Sequence, residues 1–273
     1  VRIFRVDNPH TKPFAFWEWL IRETQAAYPD LIFLAEAFTR PKMMRHLGKV
    51  GFTMSYTYFT WRNGKAELTA YAEELAQSAS REYFRPNFFA NTPDILPPFL
   101  QTGGPAAFRI RAALAALLSG VYGIYNGFEL CEATAVPGTE DYLHSEKYEY
   151  KVWDWDRPGN IKPFIAWLNR IRSENIALQD WRNVSFHDSG DDDALCFSKR
   201  ASDLSHTVCI AVSLDPHRSV RAFPSWRLSE AGSAEEEVWL EDLWSGNKVP
   251  FSPGSSVDLT PDQPVQVLRF RQA

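Results

Sequence analysis

The sequence is poor in cysteine and contains no long apolar run. Its three cysteines, Cys131, Cys196 and Cys209, are odd in number, widely spaced and outside any CxxC pattern. This pattern argues against disulfides or a zinc site and favours small apolar packing in a reducing compartment. No apolar run approaches the roughly 20 residues that span a bilayer, and the N-terminus lacks the layout of a signal peptide. We therefore expect a cytoplasmic protein without a membrane partner.

Excess basic charge and the common cofactor motifs are also missing. The formal net charge is -5, and no Lys/Arg run of the kind that reads polyanions occurs, which excludes nucleic acid as a partner. The six histidines show no HExxH or other ligand spacing, so no metal site is expected. No GxGxxG or GxxxxGK[ST] motif follows a predicted strand. We therefore expect no cofactor.

The chain nevertheless carries ample material for a core. It has 273 residues, of which 45% are hydrophobic and 23% charged, which suits one large domain or one plus a smaller one. Through residues 1–180, short apolar runs alternate with stretches of helical period, which predicts a parallel sheet, either open or closed into a barrel. From residue 181 onward, short alternating runs separated by Asp, Gly, Pro and Ser clusters predict a small antiparallel β domain.

Several elements can be bounded from the pattern. The longest amphipathic helix is predicted over residues 65–83, an aromatic strand over 52–59, and a mostly buried Ala/Leu-rich helix over 106–118. The polar and aromatic stretch 128–159 is long for a loop in a compact domain, so we expect it to be functional. The three consecutive glutamates at 235–237 are expected to lie in a solvated turn.

Three carboxylates end three of the predicted strands. The first ten residues form a β-branched and aromatic run that ends in Arg5 and Asp7 and breaks at Pro9. Two further apolar strands run out into Glu36 and Asp94. Because parallel α/β folds keep their functional groups at the carboxyl ends of strands, these positions predict an active site. Since the chain opens inside a strand, we also expect it to be the C-terminal part of a larger enzyme.

Three short motifs resemble those of a known superfamily. The segments FRVD (residues 4–7), FLAEA (33–37) and NTPD (91–94) are similar to the second, third and fourth signature regions of the α-amylase superfamily, glycoside hydrolase family 13. The resemblance implies an α/β fold. In that fold the C-terminal part of a (β/α)8 TIM barrel, strands four to eight, spans residues 1–180, and an antiparallel β-sandwich domain follows over 181–273.

Longer segments narrow the resemblance within that superfamily. RVDNPHTKP (5–13), RPNFFANTPD (85–94) and SEKY (145–148) resemble the α-1,4-glucan:maltose-1-phosphate maltosyltransferases of bacterial glucan synthesis. Two departures from the general amylase pattern point the same way. The histidine that usually lies four residues after the nucleophile gives way to the arrangement Asn8-Pro9-His10, and the histidine beside the third carboxylate is Pro93.

This resemblance implies a retaining glycosyltransferase. It would move maltosyl units from α-maltose 1-phosphate to the non-reducing end of an α-1,4-glucan acceptor and release phosphate. Asp7 would be the nucleophile that forms a covalent intermediate, with Arg5 beside it keeping it ionised through charge pairing. Glu36 would be the general acid/base, which needs a raised pKa to hold a proton at neutral pH.

The remaining predicted site residues would contact substrate. Asp94 would hold sugar hydroxyls and favour the oxocarbenium-like transition state, and Asn8 and Lys147 would bind the sugar or phosphate of the donor. Structural alternatives are a turn cap for Asp94 and a solvated side chain for Lys147. For Arg5 and Asp7 the alternative is a structural ion pair that caps the strand, and for Glu36 it is a solvated carboxylate at a turn.

Two other functions stay open at this point. One is another enzyme of the same superfamily, an α-glucan hydrolase or a trehalose-forming isomerase. The other is an inactive glucan-binding fragment, because half a barrel would lack walls for its site and would expose strand edges. We expect the 273-residue chain alone to be inactive. A homodimer of the full-length enzyme is one option that the resemblance leaves open.

Overall fold

The computed structural model describes residues 1–226 and 237–271, and its first part alternates strands with helices. Glu235 and Glu236, which we predicted in a solvated turn, lie outside the described residues. The strands are β1 Ile3–Asp7, β2 Ile32–Glu36, β3 Met54–Tyr56, β4 Pro86–Phe89 and β5 Val121–Gly123. The α-helices are α1 Phe14–Ala27, α2 Pro41–Lys49, α3 Lys65–Gln77, α4 Pro98–Thr102, α5 Gly104–Leu118 and α6 Lys162–Glu174. Short 3-10 turns follow strands at Pro9–Thr11, Tyr58–Trp61 and Phe128–Leu130, and follow helices at Ala79–Glu82 and Ile176–Gln179.

These five strands form one parallel sheet in the order β1-β2-β3-β4-β5. Every neighbouring pair is parallel, with Asp7 opposite Glu36 between β1 and β2, and Phe88 opposite Tyr122 between β4 and β5. The carboxyl ends of all five strands therefore lie at one edge of the sheet. The prediction of alternating strands and helices with a parallel sheet is confirmed.

Helix α5 forms the centre of the core of this part. Its sequence is apolar on nearly every side, so no face of the helix is suited to solvent. Pro105 stands in its first turn, where a missing N–H costs no helical hydrogen bond. Residues from Ala106 to Leu118 are buried almost without exception. The prediction of a mostly buried helix over 106–118 is confirmed.

Two predicted elements are shorter in the structure. Helix α3 ends at Gln77 because Ser78 adopts an extended backbone (φ -73°, ψ 161°), and at 13 residues it is shorter than the 15 residues of α5. The predicted strand 52–59 is reduced to Met54–Tyr56, after which the backbone turns. The buried guanidinium of Arg111 donates a hydrogen bond to the carbonyl of Phe59 (2.6 Å), and this contact holds the turn in place of a strand partner.

The later part of the chain is antiparallel, as predicted. Its strands are β6 Val184–His187, β7 Ala194–Arg200, β8 His206–Ser213, β9 Val220–Ala222, β10 Val238–Asp242, β11 Lys248–Phe251, β12 Val257–Leu259 and β13 Val265–Arg271. Six of them pair in the order β11-β10-β13-β8-β7-β6, and β9 pairs with β12 in a separate small sheet. The boundary at residues 180 and 181 stays a prediction.

The central strands of the larger antiparallel sheet carry apolar residues on both faces of the sheet. Phe197 and Ile210 belong to the same buried cluster as helix α5. Cys196 and Cys209, on the opposite face, pack with Val257 of β12 in a second cluster. The predicted apolar packing of cysteine is confirmed for these two residues.

Candidate active site

The ends of β1 and β2 bring two of the predicted carboxylates together. Asp7 and Glu36 are the last residues of neighbouring parallel strands and stand opposite each other in the register. Glu36 is only 6% exposed, whereas the Asp7 side chain is largely open to solvent. One carboxyl group is thus buried and the other accessible, side by side.

Arg5 connects all three predicted carboxylates. It precedes Asp7 by two residues on the same strand, so both side chains stand on one face of the sheet. Its guanidinium lies 3.6 Å from Asp7 Oδ1, 3.7 Å from Glu36 Oε2 and 4.0 Å from Asp94 Oδ2. The same group lies 5.9 Å from the centre of the Tyr56 ring. The sequence predicted only the contact with Asp7; the structure adds the other two.

The environment of Glu36 shifts the pKa of its carboxyl group. Burial raises the pKa of this carboxyl above its usual value, and a hydrogen bond with the Asp7 side chain raises it further. The positive charge of Arg5 and the backbone N–H of Asn8 act in the opposite direction but do not outweigh the burial. A buried carboxyl with a raised pKa beside an accessible one is the arrangement that general acid/base chemistry needs.

Asn8 connects the two carboxylates through its backbone and its side chain. It has a left-handed backbone (φ 45°, ψ 49°), a conformation that asparagine adopts more readily than most residues. Its N–H donates to the Glu36 carbonyl at 3.0 Å and reaches Glu36 Oε2 at 3.4 Å. Its amide Nδ2 donates to Asp7 Oδ1 at 3.1 Å. The structure therefore brings Asn8 into the site.

Asp94 and Lys147 meet on the other side of Arg5. The Asp94 carboxylate contacts both Arg5 and the ammonium of Lys147. Lys147 belongs to the loop that we expected to be functional, and it lies 53 residues from Asp94 in the sequence. The Thr92 hydroxyl accepts a hydrogen bond from the Asp94 N–H at 3.2 Å. The carboxylate itself therefore faces two cations of the site, which weighs against the turn-cap alternative.

Sequence reasoning missed a buried polar frame beneath these residues. Asn91 is fully buried; its Nδ2 donates to the Tyr142 hydroxyl at 2.6 Å and its Oδ1 accepts from the Tyr125 N–H at 2.8 Å. This amide joins the loop after β4, which carries Asp94, to the loop after β5. A buried amide in a loop needs partners of this kind. The sequence did offer one indication of a role for Asn91, since this residue lies inside the NTPD motif, three residues before Asp94.

Other predictions concern what the site does not contain. No group of three or more His, Cys, Asp or Glu in residues 1–226 and 237–271 is arranged to hold a metal ion. Within the same ranges, no helix is long and apolar enough to cross a membrane. A carboxylate oxygen of Glu132 lies 3.4 Å from the Lys151 ammonium and 3.8 Å from the Arg157 guanidinium, so this side chain is held in ion pairs.

Solved α-amylases share the fold of this chain. The α-amylase from Geobacillus thermoleovorans complexed with acarbose matches with a TM-score of 0.75 at 14% identity, over 99% of this chain and 60% of that one. The α-amylase from H. orenii matches with a TM-score of 0.69 at 14% identity, over 99% of this chain and 61% of that one. At such identity, the likeness concerns the fold alone.

Closer relatives are found by sequence. Residues 186–270 match the family described as GLGE, C-terminal. The α-1,4-glucan:maltose-1-phosphate maltosyltransferase of Myxococcus xanthus is 51% identical over 100% of this chain and 42% of the relative. Those of Cereibacter sphaeroides and Rhodospirillum rubrum are 53% and 54% identical over 91% and 92% of this chain, and over 37% of each relative. The chain thus spans about two fifths of the length of these curated relatives. With half of its residues identical over nearly its whole length, the chain belongs to the family of the α-1,4-glucan:maltose-1-phosphate maltosyltransferases.

Proposed function

We propose that this chain supplies the catalytic carboxylates of a retaining maltosyltransferase. The donor would be α-maltose 1-phosphate and the acceptor the non-reducing end of an α-1,4-glucan, with phosphate released. The observation that carries the proposal is the pairing of Asp7 with Glu36 at the ends of neighbouring strands, with Arg5 within 4 Å of both. Retaining glycosyl transfer requires two carboxyl groups side by side, about 5 to 5.5 Å apart.

In the first step, Asp7 attacks the anomeric carbon of the maltosyl unit. The bond from this carbon to the phosphate oxygen breaks, and phosphate leaves with the electron pair. Since phosphate is a good leaving group, it departs with little help from a proton donor. Asp7 is suited to the attack because its side chain is accessible, while Arg5 and the amide of Asn8 hold it in place.

In the second step, Glu36 acts as the general base. It takes the proton of an acceptor hydroxyl, the oxygen attacks the anomeric carbon, and the Asp7 carboxylate is released. A raised pKa makes Glu36 a stronger base than an ordinary carboxylate. Its position opposite Asp7 puts it beside the same carbon atom.

Three further residues would bind the sugar and the phosphate. Asp94 has its carboxylate between two cations, Arg5 and Lys147, and would accept hydrogen bonds from sugar hydroxyls. Lys147 supplies a positive charge for the donor phosphate, and Asn8 an amide for the sugar or phosphate. The charge pattern suits an anionic donor, because the two cations stand next to the carboxylates that act on it.

The finer architecture belongs to the same proposal. We assign the parallel strands to strands four to eight of a (β/α)8 barrel over residues 1–180, and the antiparallel sheets to a β-sandwich domain over 181–273. The arrangement of the carboxylates at the carboxyl ends of parallel strands supports this assignment. A cytoplasmic location and the oligomeric state remain predictions.

Phosphate release tests the proposal. The full-length protein that contains this chain is incubated with α-maltose 1-phosphate and a maltooligosaccharide, and phosphate and glucan length are measured. We expect glucans longer by one maltosyl unit, no phosphate release in Asp7→Ala, and release in Glu36→Ala that stops after the first ester has formed, because the second step lacks its base. Asp30→Ala is the matched control, because this exposed carboxylate lies before β2, at the opposite end of the same strand. Hydrolysis of maltooligosaccharides or conversion of maltose without phosphate release would contradict the proposal and favour another superfamily enzyme.

One observation concerns the behaviour of the chain by itself. Strand β1 is an outer strand of the parallel sheet, and its Ile3 and Phe4 are 57% and 40% exposed. An apolar outer strand invites pairing with another segment. If the 273-residue chain binds maltooligosaccharides in calorimetry but releases no phosphate, the glucan-binding role describes the isolated chain.

A further inference from the structure

The carboxylate of Glu146 is surrounded by hydrogen-bond donors from three residues. The Tyr125 hydroxyl donates to Oε2 at 3.1 Å, and the amide of Asn126 donates to the same oxygen at 3.0 Å. The indole N–H of Trp153 donates to Oε1 at 2.9 Å. An ionised carboxylate has about four acceptor sites, so one side chain holds all these donors at once.

These donors belong to two different segments. Tyr125 and Asn126 lie just after strand β5, while Trp153 lies further along the chain, in what we name the lysine loop, residues 143–155. Gly127 lets the indole approach the segment after β5 closely, since a Cβ at this position would lie 2.3 Å from the Trp153 ring. Glu146 and Trp153 therefore attach both halves of the lysine loop to the same short turn.

The attachment is next to a residue of the site. Lys147 follows Glu146 directly and contacts the Asp94 carboxylate. Other parts of the lysine loop face solvent, with Tyr148 83% and Tyr150 95% exposed. A loop with such exposed side chains has little packing of its own to fix it. Its hydrogen bonds to the turn after β5 therefore help to fix the position of Lys147, together with the contact between Lys151 and Glu132.

We propose that Glu146 is a positioning residue that holds Lys147 against Asp94 in the donor site. Glu146 does not touch substrate in this account; it acts through its neighbour. The inference rests on the proposed function, because it takes Lys147 as a ligand of the donor. A carboxylate is suited to this position since each of its three partners is a donor, and charged acceptors form stronger hydrogen bonds than neutral ones.

The activity test uses the full-length protein with three single variants. Glu146→Ala removes every acceptor, and we expect kcat/KM for α-maltose 1-phosphate to fall about tenfold or more, as lost hydrogen bonds to a charged group imply. Glu146→Gln keeps one acceptor oxygen and is expected to recover part of the loss. Glu149→Ala is the matched control, because its carboxylate lies in the same loop against His144. It is expected to leave kcat/KM unchanged.

A double variant asks whether Glu146 acts through Lys147. If it does, Lys147→Ala combined with Glu146→Ala is expected to be little worse than Lys147→Ala alone, since the residue to be positioned is already missing. Effects that multiply in the double variant would overturn the inference. So would a Glu149→Ala variant as impaired as Glu146→Ala.

A structural readout separates this inference from the proposed function. Limited trypsin digestion is followed by mass spectrometry. Cleavage is measured after Lys151 and not after Lys147, because a substitution at position 146 changes the residue that precedes the cleavage site at Lys147. We expect cleavage after Lys151 about tenfold faster or more in Glu146→Ala than in the original protein, with Glu146→Gln between them. Equal rates would show that Glu146 does not fix the loop, whatever reaction the enzyme performs. Faster cleavage in Glu146→Ala, combined with no phosphate release by the original protein, would support the anchoring role of Glu146 and contradict the proposed reaction.

Discussion

Lys199 is a fully buried lysine whose removal should stabilise the protein. It lies on β7, and its ammonium donates to the carbonyl of Leu117 in the last turn of α5, at 3.1 Å. Burial lowers the pKa of this group to about 7, and the nearby charge of Arg172 adds to the effect, while Asp180 opposes it. The lysine therefore begins to lose its charge near neutral pH in the folded protein.

The size of the effect follows from the shift of this pKa. A fall from 10.5 to about 7 corresponds to a destabilisation of about 5 kcal/mol at low pH, at 1.36 kcal/mol for each pKa unit. Between the two pKa values the unfolded chain binds more protons than the folded one, so stability rises with pH. The penalty is complete below pH 7 and disappears as the pH approaches 10.5. We expect it to decrease by about 2–3 kcal/mol between pH 6 and pH 9.

Urea unfolding of Lys199→Met measures this difference. Methionine fills a similar volume without charge, so the variant is expected to be more stable at pH 6, by a margin that narrows towards pH 9. The Leu117 carbonyl loses its partner at every pH, and this cost cancels in the comparison. Lys248→Met, at an exposed position of strand β11, is the control and should show no such change. A constant margin between pH 6 and pH 9 would refute the reasoning.

Three other changes test the site and its frame. Asn91→Ala should lower the free energy of unfolding by about 2–4 kcal/mol in urea titrations, because the buried Tyr142 hydroxyl and a backbone N–H lose their partner; no change would contradict the frame. Asp7→Asn should lower the pKa of Glu36 in a carbon-13 NMR titration, since the Asp7 side chain raises it; an unchanged or higher value would contradict their contact. Gly127→Ala should lower thermal stability, because its φ is +89° and a Cβ would meet an indole ring; an unchanged melting temperature would argue against that packing.

Much of the architecture could be predicted from periodicity and composition. The run that ends in Asp7 and the one that ends in Glu36 are short, apolar and followed by turn residues, so their strands were identified correctly. Parallel strands share one carboxyl edge, which is why two carboxylates distant in sequence could be expected to meet. The apolar helix α5 was recognisable because no face of it is polar.

Contacts that depend on register and on long loops could not be predicted. Whether Arg5 reaches one carboxylate or three depends on the alignment of β1 with β2 and on the path of the loop after β4. Lys147 lies 53 residues after Asp94 in the sequence, and their contact depends on the path of the loop that carries Lys147 back to Asp94. The early end of α3 depends on the single extended residue Ser78, whose neighbours gave no Gly or Pro signal.

The most direct test of the account is the detection of a maltosyl ester on Asp7. Glu36→Gln in the full-length protein is mixed with α-maltose 1-phosphate, and its peptides are analysed by mass spectrometry. Phosphate leaves without a proton donor, while the second step lacks its base, so the ester should accumulate. The account predicts one maltosyl unit on the peptide that contains Asp7, and none in Asp7→Ala. Rapid phosphate release with no labelled peptide, or a label on another residue, would contradict it.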